Sequence, residues 1–333
     1  MTVPGENSVF DLAIAYQKTA ALIAAVKINV FSVIGPKALS IDEIASRTDA
    51  SSRGLRILCD YLAVLGLLRK QQERYSLSPV AQTFLDESSP FAQGTIVDFV
   101  AAPEMIDLFL HDPASYVRNG TSSGLANLSP DHPVWVRFAK AMMPFAAPNA
   151  KRLASYVATS ASPPYVVLDI AAGHGLYGIE IAKTFPDALI TAIDWEPVLS
   201  VAKANIEAAR LADRFRMLAG DALQLDWGND YDLILLPNFL HHFDSGTCKS
   251  LLHKVKSSLA IGGQALGVEF VPNEDRISPP IPAMFAFWML ATTPGGNAYT
   301  RRELDEMARL AGFQGVTTRT LSPAPESLII FQN

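Results

Sequence analysis

The segment Tyr165-Val-Val-Leu-Asp-Ile-Ala-Ala-Gly-His-Gly-Leu-Tyr-Gly178 runs an apolar strand into a glycine turn and then into the start of a helix. Glycine lets the backbone turn sharply and approach a ligand closely, and a helix start offers unpaired N–H groups. The pattern is that of a loop that cradles a nucleotide-type cofactor. Asp169 narrows it, because a carboxylate at the strand end repels a diphosphate and attracts a cation.

Outward from this loop, strands are expected near 165–170, 189–194, 215–218, 231–237, 264–270 and 327–332, with helical segments between most of them. Alternating strands and helices predict an α/β fold with a parallel, doubly wound, Rossmann-like sheet. Ligands of such sheets bind beyond the carboxyl ends of the strands.

Gly173, Gly175 and Gly178 satisfy G-x-G-x-x-G, a weak signal for a nicotinamide dinucleotide when taken alone. Asp194 ends the second strand about 20 residues further on, where a carboxylate accepts from ribose hydroxyls in either cofactor. Asp169 separates the two readings. It disfavours a pyrophosphate and suits the ammonium of S-adenosylmethionine, which carries no phosphates. In Ala219-Gly-Asp-Ala222, Asp221 is placed to accept from an adenine amine, or it caps a turn. His174, inside the loop, either touches the methionyl carboxylate or faces solvent.

The chain has 333 residues, enough for two domains with cores of their own. It is 49% hydrophobic and 18% charged, with a formal net charge of -6, so it offers no general attraction to nucleic acid. Its two cysteines, Cys59 and Cys248, are far apart and lack metal-ligand spacing. No metal is expected. No signal peptide or membrane span is expected either, which predicts a cytoplasmic protein.

Residues 1–100 read as a mainly helical, winged-helix-like domain. A long apolar first helix spans Val9 to Phe31, and Ser40 with Glu43 forms a capping box. Ser51 to Leu68 forms a second helix, and Leu67 to Leu77 a hairpin. DNA binding requires a basic face, and here Asp60 offsets Arg53 and Arg56, so a scaffold or dimerisation role is expected instead. The apolar first helix supports dimerisation. Residues 101–155 read as a helical connector containing Asn119-Gly-Thr-Ser-Ser-Gly124. Its last helix places Met142 and Phe145 in an apolar pocket wall or in ordinary core. Residues 156–333 form the cofactor-binding domain.

The ordered set Asp169, Gly173, Gly175, Asp194 and Asp221 resembles the class I S-adenosylmethionine-dependent methyltransferases, and specifically the small-molecule O-methyltransferases shared by plants and bacteria. Asn238-Phe-Leu-His-His-Phe-Asp244, Met289 to Thr300 and Ala311-Gly-Phe313 extend the likeness over nearly the whole chain. The resemblance implies a winged-helix homodimerisation domain and S-adenosylmethionine contacts that add Trp195, Ala222 and Asn238. It places the catalytic histidine at His241, with Glu269 as the retained first family glutamate. Phe285, Trp288 and Met289, with Met142 and Phe145, would line the acceptor pocket; ordinary core is their other reading.

The departures are specific. The second glutamate of plant members is Ala298 here, and a lysine four residues before the histidine is Pro237. His242 replaces a common aspartate and leaves open which imidazole faces the substrate. The expected function is O-methylation of a small aromatic or polyketide-like metabolite, with neutral His241 taking the hydroxyl proton and Glu269 holding its other nitrogen. Carbon or nitrogen methylation in the same fold, and a non-catalytic cofactor-binding winged-helix regulator, are the alternatives.

Overall fold

The computed structural model describes residues 7–125, 128–159 and 163–333. The chain divides into two compact units, Met1–Met105 and Ile106–Asn333. Among the described residues no helix is long and apolar enough to cross a membrane.

The first unit carries α1 (Asn7–Ala13), α2 (Tyr16–Lys27), α3 (Val30–Ile34), β1 (Leu39–Ser40), α4 (Ile41–Ala45), α5 (Ser52–Val64), β2 (Leu68–Gln71), β3 (Arg74–Leu77), α6 (Pro79–Phe84) and α7 (Val97–Val100). The single helix expected from Val9 to Phe31 is therefore three. Asn29 adopts φ 57, the left-handed conformation that asparagine tolerates, and this ends the continuous run. Val9, Phe10 and Leu12 stay 74%, 64% and 76% exposed, the apolar excess anticipated from sequence. The capping box closes as expected: the Glu43 N–H donates to Ser40 Oγ, and the Ser40 N–H donates to Glu43 Oε2. The hairpin gains a third strand, giving an antiparallel sheet in the order β1-β3-β2. Its core gathers Phe31, Ile44, Leu55, Leu62 and Tyr75.

After α8 (Pro103–Leu110), which spans the division, the second unit continues with α9 (Pro113–Asn119), α10 (Pro133–Val157), β4 (Val166–Ile170), α11 (Leu176–Thr184), β5 (Leu189–Asp194), α12 (Glu196–Ala208), β6 (Phe215–Ala219) and β7 (Tyr231–Pro237). Then come α13 (Ser245–Ser258), β8 (Leu259–Glu269), α14 (Pro280–Thr292), α15 (Arg301–Leu310), β9 (Gly315–Thr320) and β10 (Ser327–Gln332). Seven strands lie in the order β6-β5-β4-β7-β8-β10-β9. The pairs β4–β5, β5–β6, β4–β7 and β7–β8 are parallel, and β10 runs antiparallel to both neighbours.

Six strands stand where the sequence places them, but β8 begins at Leu259 rather than near 264, beside an irregularity opposite Tyr231 and Leu233. The seventh, β9, is an addition to the expected set. Its sequence Gly-Val-Thr-Thr-Arg-Thr leaves three of six residues exposed, as suits an edge strand without a continuous apolar run.

Two apolar layers cover the sheet. Tyr177, Ile181, Ile206 and Leu153 pack on one face, and Leu252, Val255, Leu304 and Met307 on the other. Chain order reverses between β4 and β7, so the crevice beyond their carboxyl ends is the ligand position of this architecture.

Candidate active site

The loop after β4 is built around two buried carboxylates. Asp169 is fully buried, and its Oδ2 accepts the Gly178 N–H at 3.0 Å, which ties the strand end to the first turn of α11. Its Oδ1 is buried without a hydrogen-bond partner. Burial pushes this carboxyl up to about 7; the Gly178 N–H opposes the rise and the nearby Asp194 charge adds to it. Asp194 ends β5, with Oδ2 accepting the Gly173 N–H at 2.8 Å and Oδ1 accepting the Trp195 N–H at 2.7 Å. Burial raises it to about 6.

Gly173 and Gly175 both have positive φ, at 58 and 75. A Cβ on Gly175 would approach Ala202 Cβ to 3.1 Å, so glycine is needed for conformation and for packing against α12.

His174 is only 7% exposed, which removes the solvent-facing reading. Burial holds its imidazole down at about 4, and Nδ1 accepts the Leu176 N–H at 3.2 Å. The ring is therefore neutral, with its proton on Nε2. Asn205, on α12, donates to the His174 carbonyl at 2.8 Å and braces the loop. Nothing in the sequence marks it out, since one polar residue in an amphipathic helix looks like surface.

Asp221 follows β6 and is exposed; its Oδ1 accepts the Leu223 N–H at 2.8 Å, so the turn-capping reading is realised while Oδ2 stays available. The preceding Gly220 donates its N–H to the Asp194 carbonyl at 2.9 Å, which brings this turn beside Asp194. Ala222 is buried, and its carbonyl accepts from Lys254. Trp195 meets Trp135 of α10 edge-on at 4.9 Å.

The second centre lies after β7. Asn238 takes φ 53, and its N–H donates to the Val268 carbonyl at 2.7 Å. That left-handed turn aims the next N–H groups at Glu269, the last residue of β8: Phe239 and Leu240 donate to Oε1 at 3.1 and 2.8 Å. His241 Nδ1 meets Oε2 at 2.5 Å, and both side chains are buried. With Glu269 accepting from Nδ1, the lone pair of His241 sits on Nε2.

His242 packs at 4.4 Å from His241, and burial, with the adjacent imidazole, holds it well below its ordinary value. Ala298, at the position of the second family glutamate, is fully buried, and the Asn297 N–H donates to the His241 carbonyl at 3.0 Å.

The wall candidates separate. Phe285 meets His241 edge-on at 4.9 Å and stacks on Phe270 at 4.1 Å. Trp288 leans on Phe109 at 4.8 Å. Met289 is 2% exposed, packed as core. Met142 and Phe145 are half-buried on α10, whose next residue after Met142, Met143, reaches the Asn205 amide with its sulfur at 3.7 Å. Among the described residues no group of three or more His, Cys, Asp or Glu is arranged to hold a metal ion.

The O-methyltransferase domain family matches residues 131–314, and the O-methyltransferase dimerisation domain family matches residues 10–87. The chain is 27% identical to 3-hydroxy-5-methyl-1-naphthoate 3-O-methyltransferase of Streptomyces sahachiroi, over 96% of this chain and 93% of that protein. It is 23% identical to the tetracenomycin polyketide synthesis 8-O-methyl transferase of Streptomyces glaucescens, over 98% and 97% of the two chains. Among solved structures, a candidate O-methyltransferase of Nostoc punctiforme superposes with a TM-score of 0.94 at 43% identity, covering 99% of this chain and 100% of the other.

Proposed function

The chain belongs to the O-methyltransferase family, and from that premise we propose that it transfers a methyl group from S-adenosylmethionine to a hydroxyl of a small aromatic or polyketide-like metabolite, with His241 as general base. The observation that carries this reading is the buried His241–Glu269 pair at 2.5 Å, which leaves Nε2 as the imidazole acceptor. A hydroxyl attacks weakly until its proton leaves, and a neutral imidazole with a free lone pair removes it as attack proceeds. The O–H bond breaks, the proton passes to Nε2, and Glu269 stabilises the resulting imidazolium through Nδ1–H.

The residues present fit the cofactor. Asp169 Oδ1 is a buried, unmatched acceptor suited to the methionyl ammonium, the one feature a diphosphate would not tolerate. Gly173 and Gly175 let the loop approach the ligand, Asp194 retains lone pairs for ribose hydroxyls, and Asp221 Oδ2 suits the adenine amine. Trp195, Ala222 and Asn238 complete the contact set. When bound, the cofactor supplies an electrophilic methyl group on a sulfonium. The protein holds the acceptor in line with it and excludes water, the task assigned to Phe285 and Trp288 with Met142, Phe145 and Met289 behind them.

Residues 1–100 serve homodimerisation, consistent with the exposed Val9, Phe10 and Leu12. Residues 101–155 contribute to the acceptor pocket, 156–333 hold the cofactor, and the enzyme works in the cytoplasm. Carbon or nitrogen methylation is not favoured, because a buried imidazole–carboxylate pair is apparatus for taking a hydroxyl proton. The test is transfer of labelled methyl from S-adenosylmethionine to a panel of hydroxynaphthoates and other phenols, with cofactor affinity measured in parallel. His241→Ala should keep that affinity and lose about 10²–10⁴ in turnover; unchanged turnover would remove His241 as the base.

A further inference from the structure

The crossover from β6, at one edge of the sheet, back to β7 contains no helix: Gly220 to Asp230 run between the two strands as turns and irregular chain. Such crossovers are usually helical, and a helix satisfies its own backbone. Here the carbonyls need other donors. The same segment carries Asp221, the residue assigned to the adenine amine.

Lys254, on α13, supplies the donors. Its ammonium donates to the Ala222 and Leu225 carbonyls at 3.2 and 2.5 Å and stands 3.7 Å from the centroid of the Trp227 ring. That indole is 5% exposed and is itself fixed: its Nε1–H donates to Ser258 Oγ at 2.8 Å, and the Trp227 carbonyl accepts from the Tyr231 hydroxyl at 2.5 Å. A helix-surface lysine ordinarily keeps its rotamer freedom and leaves its head in water. Lys254 gives up both, its donors being taken by two carbonyls and a π face.

Those two carbonyls bracket a tight turn. The Asp221 carbonyl accepts the Gln224 and Leu225 N–H groups at 3.0 and 2.9 Å, and Asp221 Oδ1 accepts the Leu223 N–H. Just before it, the Gly220 N–H bonds the Asp194 carbonyl. The turn is therefore tied to β5 on one side of Asp221 and to α13 on the other.

We propose that Lys254 is a positioning residue for adenine recognition: without touching the cofactor, its ammonium locks the Asp221–Leu225 turn and so holds Asp221 Oδ2 where it meets the exocyclic amine. This rests on the reading of Asp221 as the adenine acceptor. Selectivity for the adenine amine then depends on a side chain from the helix that follows the catalytic turn.

The experiment needs no methyl acceptor. Calorimetry on the full chain compares S-adenosylhomocysteine with its 6-deamino analogue, which carries hydrogen in place of the amine. Wild type should prefer the parent ligand at least about tenfold, the scale of a hydrogen bond to a charged group. Asp221→Ala should bring that preference close to unity. Lys254→Met keeps the length and an apolar contact with Trp227 but has no donor; it should cut the preference to about twofold or less while changing affinity for the analogue less than about threefold, the signature of coupling between the lysine and the amine.

A Lys254→Met variant that keeps the wild-type preference overturns the proposal. Equal weakening of both ligands overturns it too, since the lysine would then serve only the fold of the segment. A wild type that binds the two ligands equally, or an Asp221→Ala variant that still prefers the amine, removes instead the Asp221 reading beneath the proposal, and does so before Lys254 is altered.

Discussion

His241 Nδ1 and Glu269 Oε2 meet at 2.5 Å across the carboxyl ends of two adjacent parallel strands, β7 and β8, while Glu269 Oε1 takes two backbone N–H groups from the same turn. The carboxylate is thus an acceptor on every side, and this fixes the tautomer of the imidazole. Glu269→Gln tests the consequence. Its amide oxygen can still serve Phe239 and Leu240, but its NH₂ then faces Nδ1 and moves the ring proton to Nε2, where the base needs a lone pair. Turnover should fall by about 10²–10⁴ with little change in cofactor affinity. Steady-state kinetics together with ¹⁵N shifts of the His241 ring check both parts; full activity with an unchanged tautomer would contradict them.

Asp169 makes the cofactor-free protein sensitive to pH. Its carboxyl is raised to about 7 by burial, far above its value in an unfolded chain. A raised carboxyl favours the folded state while it is protonated, so this contribution is complete below about pH 4 and is lost as pH rises through about 7. Binding the methionyl ammonium requires the ionised form. Association of S-adenosylhomocysteine should therefore release protons below pH 7 and tighten as pH rises toward it, which calorimetry in buffers of different ionisation enthalpy reads directly. Asp169→Asn should abolish the proton release and weaken binding about 10- to 100-fold, the scale of a hydrogen bond to a charged group. Proton release that persists in Asp169→Asn would assign it elsewhere, with Asp194, raised to about 6, the next candidate.

Gly124 tests the support of the acceptor side. It has φ 48, and a Cβ there would overlap the Thr292 carbonyl at the end of α14. The Leu125 N–H bonds that same oxygen at 3.0 Å, and Thr121 Oγ1 donates to the Pro294 carbonyl at 2.6 Å. Gly124→Ala must push backbone against backbone, and it should cost about 1–3 kcal/mol in urea unfolding. Because α14 carries Phe285 and Trp288, acceptor KM should rise while cofactor affinity holds. A variant as stable as wild type would mean the loop gives way freely.

Much of this site was readable because its parts sit where strands end. The apolar run to Ile170 followed by glycines located the cofactor loop, and Asp194 and Glu269 are each the last residue of a strand. What the sequence concealed depends on backbone donors and on burial. Phe239 and Leu240 contribute N–H groups, which no side-chain pattern announces. The burial of His174 follows from α12 closing over the loop through Asn205, a contact 31 residues away in sequence. Strand β9 was hidden for another reason: at the sheet edge, three threonines and an arginine satisfy the pairing without an apolar signature. The breaks between α1, α2 and α3 fall where no glycine or proline marks them, and the one at Asn29 needs only an asparagine in the left-handed region.

Ala298 allows the last test, because plant relatives carry a glutamate at this position to orient the base. Here the site is fully buried, and the neighbouring Asn297 N–H already bonds the His241 carbonyl. Glu269 already occupies Nδ1, so a second carboxylate has no imidazole nitrogen to hold. Ala298→Glu should bring no gain in turnover and should destabilise the fold by more than Ala298→Leu, which overfills the same space without a charge, at about 1–3 kcal/mol. The difference between the two should grow with pH. A carboxyl buried without donors has a raised pKa, so its penalty appears only as it is forced to ionise. Unfolding of both variants at pH 5 and pH 8 decides the matter. A glutamate variant that is stable at pH 8 and faster than wild type would show that the pocket has room and donors for a second orienting carboxylate, and that Glu269 alone does not set the geometry of His241.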